Sequence, residues 1–149
     1  MYLDSAIIVK LLVREPESDW FGRNLSGHGF DTSDLAVAEV CAALLFKERA
    51  GDIKAVERVR ATEKFFSMVE DELIVLLPLN RKVVERARAM QIASHPRVPL
   101  RTLDALHIAT CDLHHLGTLA TTDRRMRAVC EQFAIALMPT RIEDILITT

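Results

Sequence analysis

The sequence MYLDSAIIVKLLV, residues 1–13, contains the pattern that decides the fold. Met1 to Leu3 is a short apolar stretch that predicts a strand, and Ile7 to Val13 predicts the helix that follows it. Asp4 lies between the two. Because ligands of open α/β sheets bind beyond the carboxyl ends of the strands, an acid at this position is a candidate site residue.

The alternation of short apolar strands with amphipathic helices continues along the chain. Further strands are predicted at Phe30 to Thr32, Leu73 to Leu77, Leu119 to Thr121 and Ile135 to Leu137. Further helices are predicted at Glu17 to Leu25, Leu35 to Ala50, Asp52 to about Val69, Arg81 to about Ala93, Thr102 to near Gly117, and Arg124 to Phe133. The expected N-caps of three of these helices are Asp52, Asn80 and Thr102. This order indicates an α/β fold with a mostly parallel central sheet that is covered by helices on both faces.

The composition is that of an ordinary globular protein. The chain has 149 residues, of which 50% are hydrophobic and 27% charged, and we expect one domain over residues 1–149. No apolar run is long enough to span a membrane, and no basic segment precedes an apolar run at the amino terminus, so neither a membrane helix nor a signal peptide is expected. The 3 cysteines are odd in number and far apart, which favours a reducing cytoplasm over a disulfide framework or a zinc site.

Four acids stand out on this map. Asp4 and Asp123 each follow a predicted strand, Asp104 lies in the first turn of a helix, and Glu39 lies in an apolar helix segment. A carboxylate in an apolar neighbourhood is costly unless it is paired or binds a metal. Together the four acids suit metal-assisted hydrolysis of a phosphodiester bond, because Mg²⁺ and Mn²⁺ prefer oxygen ligands.

Each acid also has a purely structural interpretation. Asp4 and Asp123 are suitable N-caps, and Asp104 complements a helix dipole. Glu39 could instead form an ion pair with Lys47 or Arg49.

The net charge of −2 argues only weakly against a nucleic-acid partner. If four carboxylates bind cations at one site, the rest of the chain is net positive, and the occupied site attracts phosphate.

Four segments resemble the signatures of PIN-domain nucleases. They are YLDSAIIVKLLVREPES with Asp4, TSDLAVAEVCAAL with Glu39, PLRTLDALHIATC with Asp104, and LATTDRRM with Asp123. The resemblance covers nearly the whole chain, and the length is similar to that of VapC-type toxins of toxin–antitoxin pairs. It implies a three-layer α/β/α sandwich, a metal-dependent endoribonuclease that uses Mg²⁺ or Mn²⁺, a homodimer, and a VapB-type antitoxin that blocks the site. The two long helices from Leu35 to Ala50 and from Asp52 to Val69 are a hypothetical clamp for that antitoxin.

The resemblance also implies supporting roles for two hydroxyl side chains. Ser5 follows the first acid and Thr121 precedes the last, where such hydroxyls help to position metal or water. Thr122 lies between Thr121 and Asp123, so either threonine could face the site. Asp34 is an additional acid that we interpret as the cap of the helix carrying Glu39.

Several basic residues have two interpretations, as a solvated helix face or as contacts to RNA phosphate. They are Lys10 and Arg14 on the first helix, and Arg124, Arg125 and Arg127 after the last acid. His107 lies three residues after Asp104 and is interpreted as a packed structural histidine in preference to a catalytic one. Cys41 and Cys111 are interpreted as small core residues.

Two alternatives to the nuclease remain at this stage. The first is a catalytically weak or inactive interaction protein that keeps the fold to bind a partner. The second is an aspartate-dependent phosphohydrolase with Asp4 as the nucleophile, which is disfavoured because Ser5 and Ala6 follow where a second acid is needed.

Overall fold

The computed structural model of the protein describes residues 1–146. Its centre is a 5-stranded sheet in the order β3-β2-β1-β4-β5. The strands are Tyr2–Leu3 (β1), Phe30–Ser33 (β2), Ile74–Leu77 (β3), Thr118–Ala120 (β4) and Ala136–Met138 (β5). Every pairing between neighbouring strands is parallel, which confirms the predicted sheet.

Helices connect the strands as the sequence pattern predicts. They are Ser5–Leu12 (α1), Ser18–Asn24 (α2), Leu35–Ala50 (α3), Ala55–Glu70 (α4), Arg81–Ser94 (α5), Thr102–Leu113 (α6), Arg124–Gln132 (α7) and Glu143–Leu146 (α8). Only α8 was not predicted, because a single turn is too short to show a helical period. None of the helices within residues 1–146 is long and apolar enough to cross a membrane.

Two hydrophobic cores lie on opposite faces of the sheet. Tyr2 and Leu119 point into the core that contains the buried residues of α5, α6 and α7. Their neighbours Leu3 and Ala120 point into the other core, with the buried residues of α1 to α4. Successive strand residues face opposite sides because the side-chain period of a strand is two. The result is a three-layer α/β/α sandwich, as predicted.

Two of the three predicted helix caps are wrong. Helix α4 begins after Lys54, whose backbone N–H donates to the Glu57 carboxylate at 2.7 Å, so Asp52 lies before the start. Thr102 is already the first helical residue of α6, because the cap position is Arg101. Asn80 does cap α5, and its Oδ1 accepts hydrogen bonds from the next turn.

Helix α6 also ends earlier than predicted. It stops at Leu113, and the backbone then takes positive φ values of 53° at His115 and 71° at Gly117. This left-handed conformation ends a helix, and glycine adopts it without a steric penalty.

The order of the strands places a crevice beside β1. The chain builds β2 and β3 on one side of β1 and then crosses to build β4 and β5 on the other. Ligands of such sheets bind at this reversal, beyond the carboxyl ends of the two strands that flank it. Those ends lie side by side here, since the Asp4 N–H donates to the Ala120 carbonyl at 3.1 Å.

Candidate active site

Asp4 stands at the carboxyl end of β1 and is only 8% exposed. Its Oδ1 accepts a hydrogen bond from the Ala6 N–H at 3.2 Å, which confirms that it caps α1. Its Oδ2 accepts from the Thr121 hydroxyl at 2.7 Å. These two bonds fix the orientation of the carboxylate at the sheet edge, so the cap and a role in the site are compatible.

Thr121 connects Asp4 to the acid that follows β4. The Thr121 side chain is fully buried, and its Oγ1 accepts a hydrogen bond from the Asp123 N–H at 3.1 Å. Asp123 in turn caps α7, because its Oδ1 accepts from the backbone N–H groups of Arg125 and Met126 at 2.8 and 3.0 Å. The hydroxyl that links the two acids is therefore that of Thr121, while Thr122 lines the cleft beside them.

Asp104 lies in the first turn of α6, where its Oδ2 is buried. Among residues 1–146 this oxygen has no hydrogen-bond partner. Burial raises the pKa of Asp104, and the negative charges of Asp123 and Asp4 raise it further, against the opposing charges of Arg101 and His107. Since the charges of Asp123 and Asp4 both act on the Asp104 carboxyl, the three acids share one electrostatic site.

Glu39 reaches this edge of the sheet from α3. The Ser5 hydroxyl and the His107 Nε2 each lie 2.5 Å from Glu39 Oε2. Burial raises the pKa of Glu39, but the hydrogen bond and charge of His107 and the bond from Ser5 outweigh it, so the pKa is lowered. An ion pair of Glu39 with Lys47 or Arg49 was the alternative prediction. It is wrong for Lys47, because Lys47 instead pairs with Glu15.

His107 is buried, as predicted, with 2% of its surface exposed. Two contacts of His107 were not predicted from the sequence: the one with Glu39, and that of its Nδ1 with the Tyr2 hydroxyl at 2.6 Å. The available signal was its spacing of three residues from Asp104, which places both side chains on one face of α6.

A cleft of about 590 Å³ opens in front of Asp4 and Asp123. Its lining consists of these two acids together with Ala6, Arg101, Thr122, Arg124 and Arg125. Arg124 and Arg125 were predicted as candidate RNA contacts. Arg101 was not, although its position just before the helix that carries Asp104 was a usable signal. Three guanidinium groups around an acidic centre suit a polyanionic ligand.

The structure separates the other basic residues from this cleft. Arg127 is buried, and its guanidinium donates to the carbonyl groups of Thr121, Pro139 and Thr140. Both interpretations of Arg127, as a solvated face and as an RNA contact, are therefore wrong. The reason is that Arg127 lies on the inner face of α7, where it holds the segment that follows β5.

Lys10 and Arg14 line a different cavity, formed by α1 and α2. Lys10 pairs with Glu15 at 3.1 Å and with Glu17 at 2.9 Å. Arg14 pairs with Asp19 at 3.5 Å. Their proposed contact with RNA remains a prediction, but the structure does not bring them to the acids.

Two predictions for the helix α3 are wrong, those for Asp34 as a cap and for Cys41 as a core residue. Asp34 occupies the N-cap position, but its side chain makes no capping bond, and the Leu35 N–H donates to the Ser33 hydroxyl instead, at 3.3 Å. Cys41 is exposed, because the buried stripe of α3 runs through Val40 and the next residue is turned about 100° away from it. Cys111 is buried as predicted.

The donor set at this edge fits a hard divalent cation. Within residues 1–146, no three His, Cys, Asp or Glu side chains are drawn together closely enough to form a ready-made metal cluster. The fit rests on the unpartnered Asp104 Oδ2 and on its electrostatic coupling to Asp4 and Asp123. Carboxylate oxygens of this kind are what Mg²⁺ and Mn²⁺ take as ligands.

The fold and the site together define an α/β protein with an acidic crevice at the switch point of a parallel sheet. The chain belongs to the PIN domain family, whose model matches residues 1–132.

Known proteins that are similar to this chain include the following two. It is 38% identical over 141 residues to Ribonuclease VapC46 of Mycobacterium tuberculosis (strain ATCC 25618 / H37Rv), covering 93% of this chain and 95% of that protein. Its fold is shared by the crystal structure of FitAcB from Neisseria gonorrhoeae, with a TM-score of 0.62 and 16% identity over 91% of this chain and 94% of that one.

Proposed function

We propose that this protein is a metal-dependent endoribonuclease that hydrolyses phosphodiester bonds in RNA. Membership of the PIN domain family and the similarity to Ribonuclease VapC46 support the reaction class. The observation that carries the proposal is Asp104, whose buried Oδ2 has no hydrogen-bond partner among residues 1–146. Its pKa is raised by burial and by the charges of Asp123 and Asp4.

In this proposal the four acids hold Mg²⁺ or Mn²⁺. A cation bound there supplies positive charge to the scissile phosphate and lowers the pKa of an attacking water. The chain keeps the ligand oxygens in place. Thr121 and the Ala6 N–H orient Asp4, while the first turn of α7 orients Asp123.

The arginines of the cleft explain how a protein with a net charge of −2 binds RNA. Arg101, Arg124 and Arg125 line the same cleft as Asp4 and Asp123. One guanidinium group can bind two phosphate oxygens at once. Such contacts set the position of a nucleic acid without reading its sequence.

Cleavage of end-labelled total RNA by the purified protein tests the proposal, with Mg²⁺, Mn²⁺ or EDTA in separate reactions. We expect discrete fragments from the wild type with either metal and none with EDTA, and at least about a 100-fold loss of rate in Asp104→Asn. Asp112→Asn is the matched control, because Asp112 lies on the same helix but pairs with Arg86. Full activity of Asp104→Asn, or cleavage in EDTA, contradicts the proposal, and no cleavage in any lane favours an interaction protein.

We also propose that the nuclease is the toxin of a type II toxin–antitoxin pair in the cytoplasm, with a VapB-type antitoxin as partner. The resemblance of the four signatures to VapC-type toxins supports this role. Helices α3 and α4 offer apolar surface to a partner, since Phe46 is 63% and Phe66 44% exposed. We expect that expression of the protein arrests growth, and that co-expression of the neighbouring gene relieves the arrest. Growth without arrest, from an expressed protein that cleaves RNA in vitro, favours a role in RNA processing.

The homodimer belongs to the same proposal. Light scattering on the purified protein is expected to give twice the 16.8 kDa of the chain. A mass of one chain at micromolar concentration contradicts it.

A further inference from the structure

Glu39 is held by a chain of buried hydrogen-bonding groups that the four-acid site does not account for. The chain runs from the Tyr2 hydroxyl to His107 Nδ1 at 2.6 Å, and from His107 Nε2 to Glu39 Oε2 at 2.5 Å. Tyr2 is 0% and His107 2% exposed. Groups buried this deeply keep their geometry only when their hydrogen bonds are satisfied.

The chemistry of the carboxylate fixes the direction of the bond between His107 and Glu39. An ionised carboxylate only accepts, so His107 Nε2 carries a hydrogen and donates it to Glu39. His107 Nδ1 faces the Tyr2 hydroxyl, and in the neutral form of the ring it accepts the hydrogen bond that this hydroxyl donates. Burial raises the pKa of Tyr2, so the phenol keeps the proton that it donates. The Ser33 N–H donates to the Tyr2 oxygen at 3.1 Å, which holds the phenol in place.

We propose that His107 is a positioning residue that acts on the metal site through Glu39, and that Tyr2 in turn fixes the ring of His107. This inference rests on the proposed function, because it assigns Glu39 as one of the residues that hold the cation. It gives His107 no contact with the substrate or the metal.

The placement of the groups explains why Glu39 needs such support. Glu39 lies on α3, which packs on the Leu3 side of the sheet, whereas His107 lies on α6 on the Tyr2 side. The bond between them therefore joins the two helical layers across the carboxyl edge of the sheet. His107 shares a face of α6 with Asp104, so one helix sets the position of two of the acids.

Both donors to Glu39 bind the same oxygen. Ser5 Oγ and His107 Nε2 each lie 2.5 Å from Oε2, and neither bond involves Oε1. Two donors on one oxygen fix the plane of the carboxylate. Groups that orient metal-binding carboxylates in this way contribute about 10- to 100-fold to metal affinity.

Binding of Mn²⁺ to the purified protein, measured by electron paramagnetic resonance without RNA, tests the proposal. We expect His107→Leu to weaken Mn²⁺ binding about 10- to 100-fold. His107→Gln should restore most of the affinity, because an amide N–H replaces Nε2 as the donor. Tyr2→Phe should weaken binding less than His107→Leu, since it leaves the donor to Glu39 in place.

Thr110→Val is the matched control for a general disturbance of the helix. Thr110 is buried one turn after His107, and its hydroxyl donates only within α6, to the Leu106 carbonyl at 2.8 Å. Wild-type affinity in this variant supports a specific role for His107. An equal loss in Thr110→Val and His107→Leu overturns the proposal.

Further results distinguish a failure of the positioning role from a failure of the proposed function. Unchanged Mn²⁺ affinity in folded His107→Leu, or no recovery in His107→Gln, overturns the positioning role while the nuclease proposal stands. If His107→Leu does not fold, a weakened affinity in folded Tyr2→Phe supports the role and an unchanged one overturns it. A wild type that binds no Mn²⁺, or an Asp104→Asn variant that binds it equally well, contradicts the proposed function itself.

Discussion

At the scale of single residues, Asp104 is the acid whose surroundings least suit a charge. Its Oδ2 is buried without a hydrogen-bond partner among residues 1–146, beside two further carboxylates that raise its pKa. Natural proteins rarely leave such an acceptor unsatisfied without a functional reason. In the proposed function, the cost to the folded state and the benefit to cation binding therefore have the same origin.

We predict that Asp104→Asn raises the stability of the protein in EDTA at neutral pH. Because folding raises the pKa of Asp104, its carboxyl favours the folded state only while it is protonated, and that contribution is lost as the pH rises through the folded pKa. The advantage of the variant should therefore appear as the pH rises above about 4 and persist at pH 7. Thermal unfolding of both proteins from pH 3 to 7 checks this, and a variant that is less stable than the wild type at neutral pH contradicts it.

Glu39 should show the opposite dependence on pH. Folding lowers its pKa, so its stabilising contribution is complete above the ordinary value and is lost as the pH falls through the folded pKa. We predict that Glu39→Gln costs about 1 kcal/mol at pH 7, because a neutral acceptor replaces a charged one. The difference from the wild type should shrink in acid. Urea unfolding at pH 7 and pH 3 measures it, and an equal or larger difference at pH 3 contradicts the account.

Whether the position of a candidate site residue could be predicted depends on how far away its partners lie along the chain. Asp4, Asp123 and Asp104 could be predicted because each is placed by its own strand end or helix start. The partner of Glu39 could not, since His107 is 68 residues away and the contact depends on how two helical layers meet. Lys47 and Arg49 were nearer in sequence, but Lys47 is taken up by Glu15.

At the scale of elements, Asp123 serves two purposes that substitution can separate. It caps α7, and it lines the cleft. We predict that Asp123→Asn keeps nearly full stability, because Asn caps a helix as well as Asp does, yet loses RNA cleavage with the charge. Asp123→Ala should lose cleavage and also about 1 kcal/mol of stability.

Asn80→Ala is the control for the cap of α7. Asn80 caps α5 through the same kind of bonds to the next turn, but it does not line the cleft. We expect it to lose about 1 kcal/mol and to cleave RNA at the wild-type rate. Cleavage by Asp123→Asn at that rate contradicts the assignment of Asp123.

The elements themselves were predictable, but several of their ends were not. Alternating apolar segments gave all five strands and the longer helices, since periodicity extends over many residues. A helix start depends on a few local bonds. In α4, the hydrogen bond from the Lys54 N–H to the Glu57 carboxylate replaces the cap expected from Asp52. In α6, the backbone becomes helical already at Thr102.

At the scale of the whole molecule, the charge distribution matters more than the net charge. The chain carries −2 overall, yet Arg101, Arg124 and Arg125 surround one acidic crevice. The net charge of the sequence cannot show this local arrangement, because Arg101 reaches the cleft only through the packing of α6 against the sheet. The sequence pattern predicts a parallel sheet that is covered on both faces, but it does not predict which strands are neighbours. The strand order 3-2-1-4-5 depends on contacts that no local pattern encodes.

We predict that each cleft arginine contributes one phosphate contact to RNA binding. Arg101→Ala in an Asp104→Asn background should lower the affinity for single-stranded RNA and reduce the slope of log K against log salt by about 0.7. Fluorescence anisotropy between about 50 and 200 mM salt measures that slope. Arg81→Ala is the comparison, since Arg81 pairs with Glu85 on α5 and does not line the cleft. An unchanged slope in Arg101→Ala removes it from the RNA-binding surface.

The main claim is that Asp4, Asp104 and Asp123, together with Glu39, bind a catalytic divalent cation at the switch point of the sheet. Anomalous scattering from a crystal of the wild-type protein grown with Mn²⁺ tests it most directly. We predict a Mn²⁺ peak within bonding distance of Asp104 Oδ2 and of carboxylate oxygens from Asp4 and Asp123. A crystal saturated with Mn²⁺ that shows no peak at this edge of the sheet, or shows one only elsewhere, contradicts the claim.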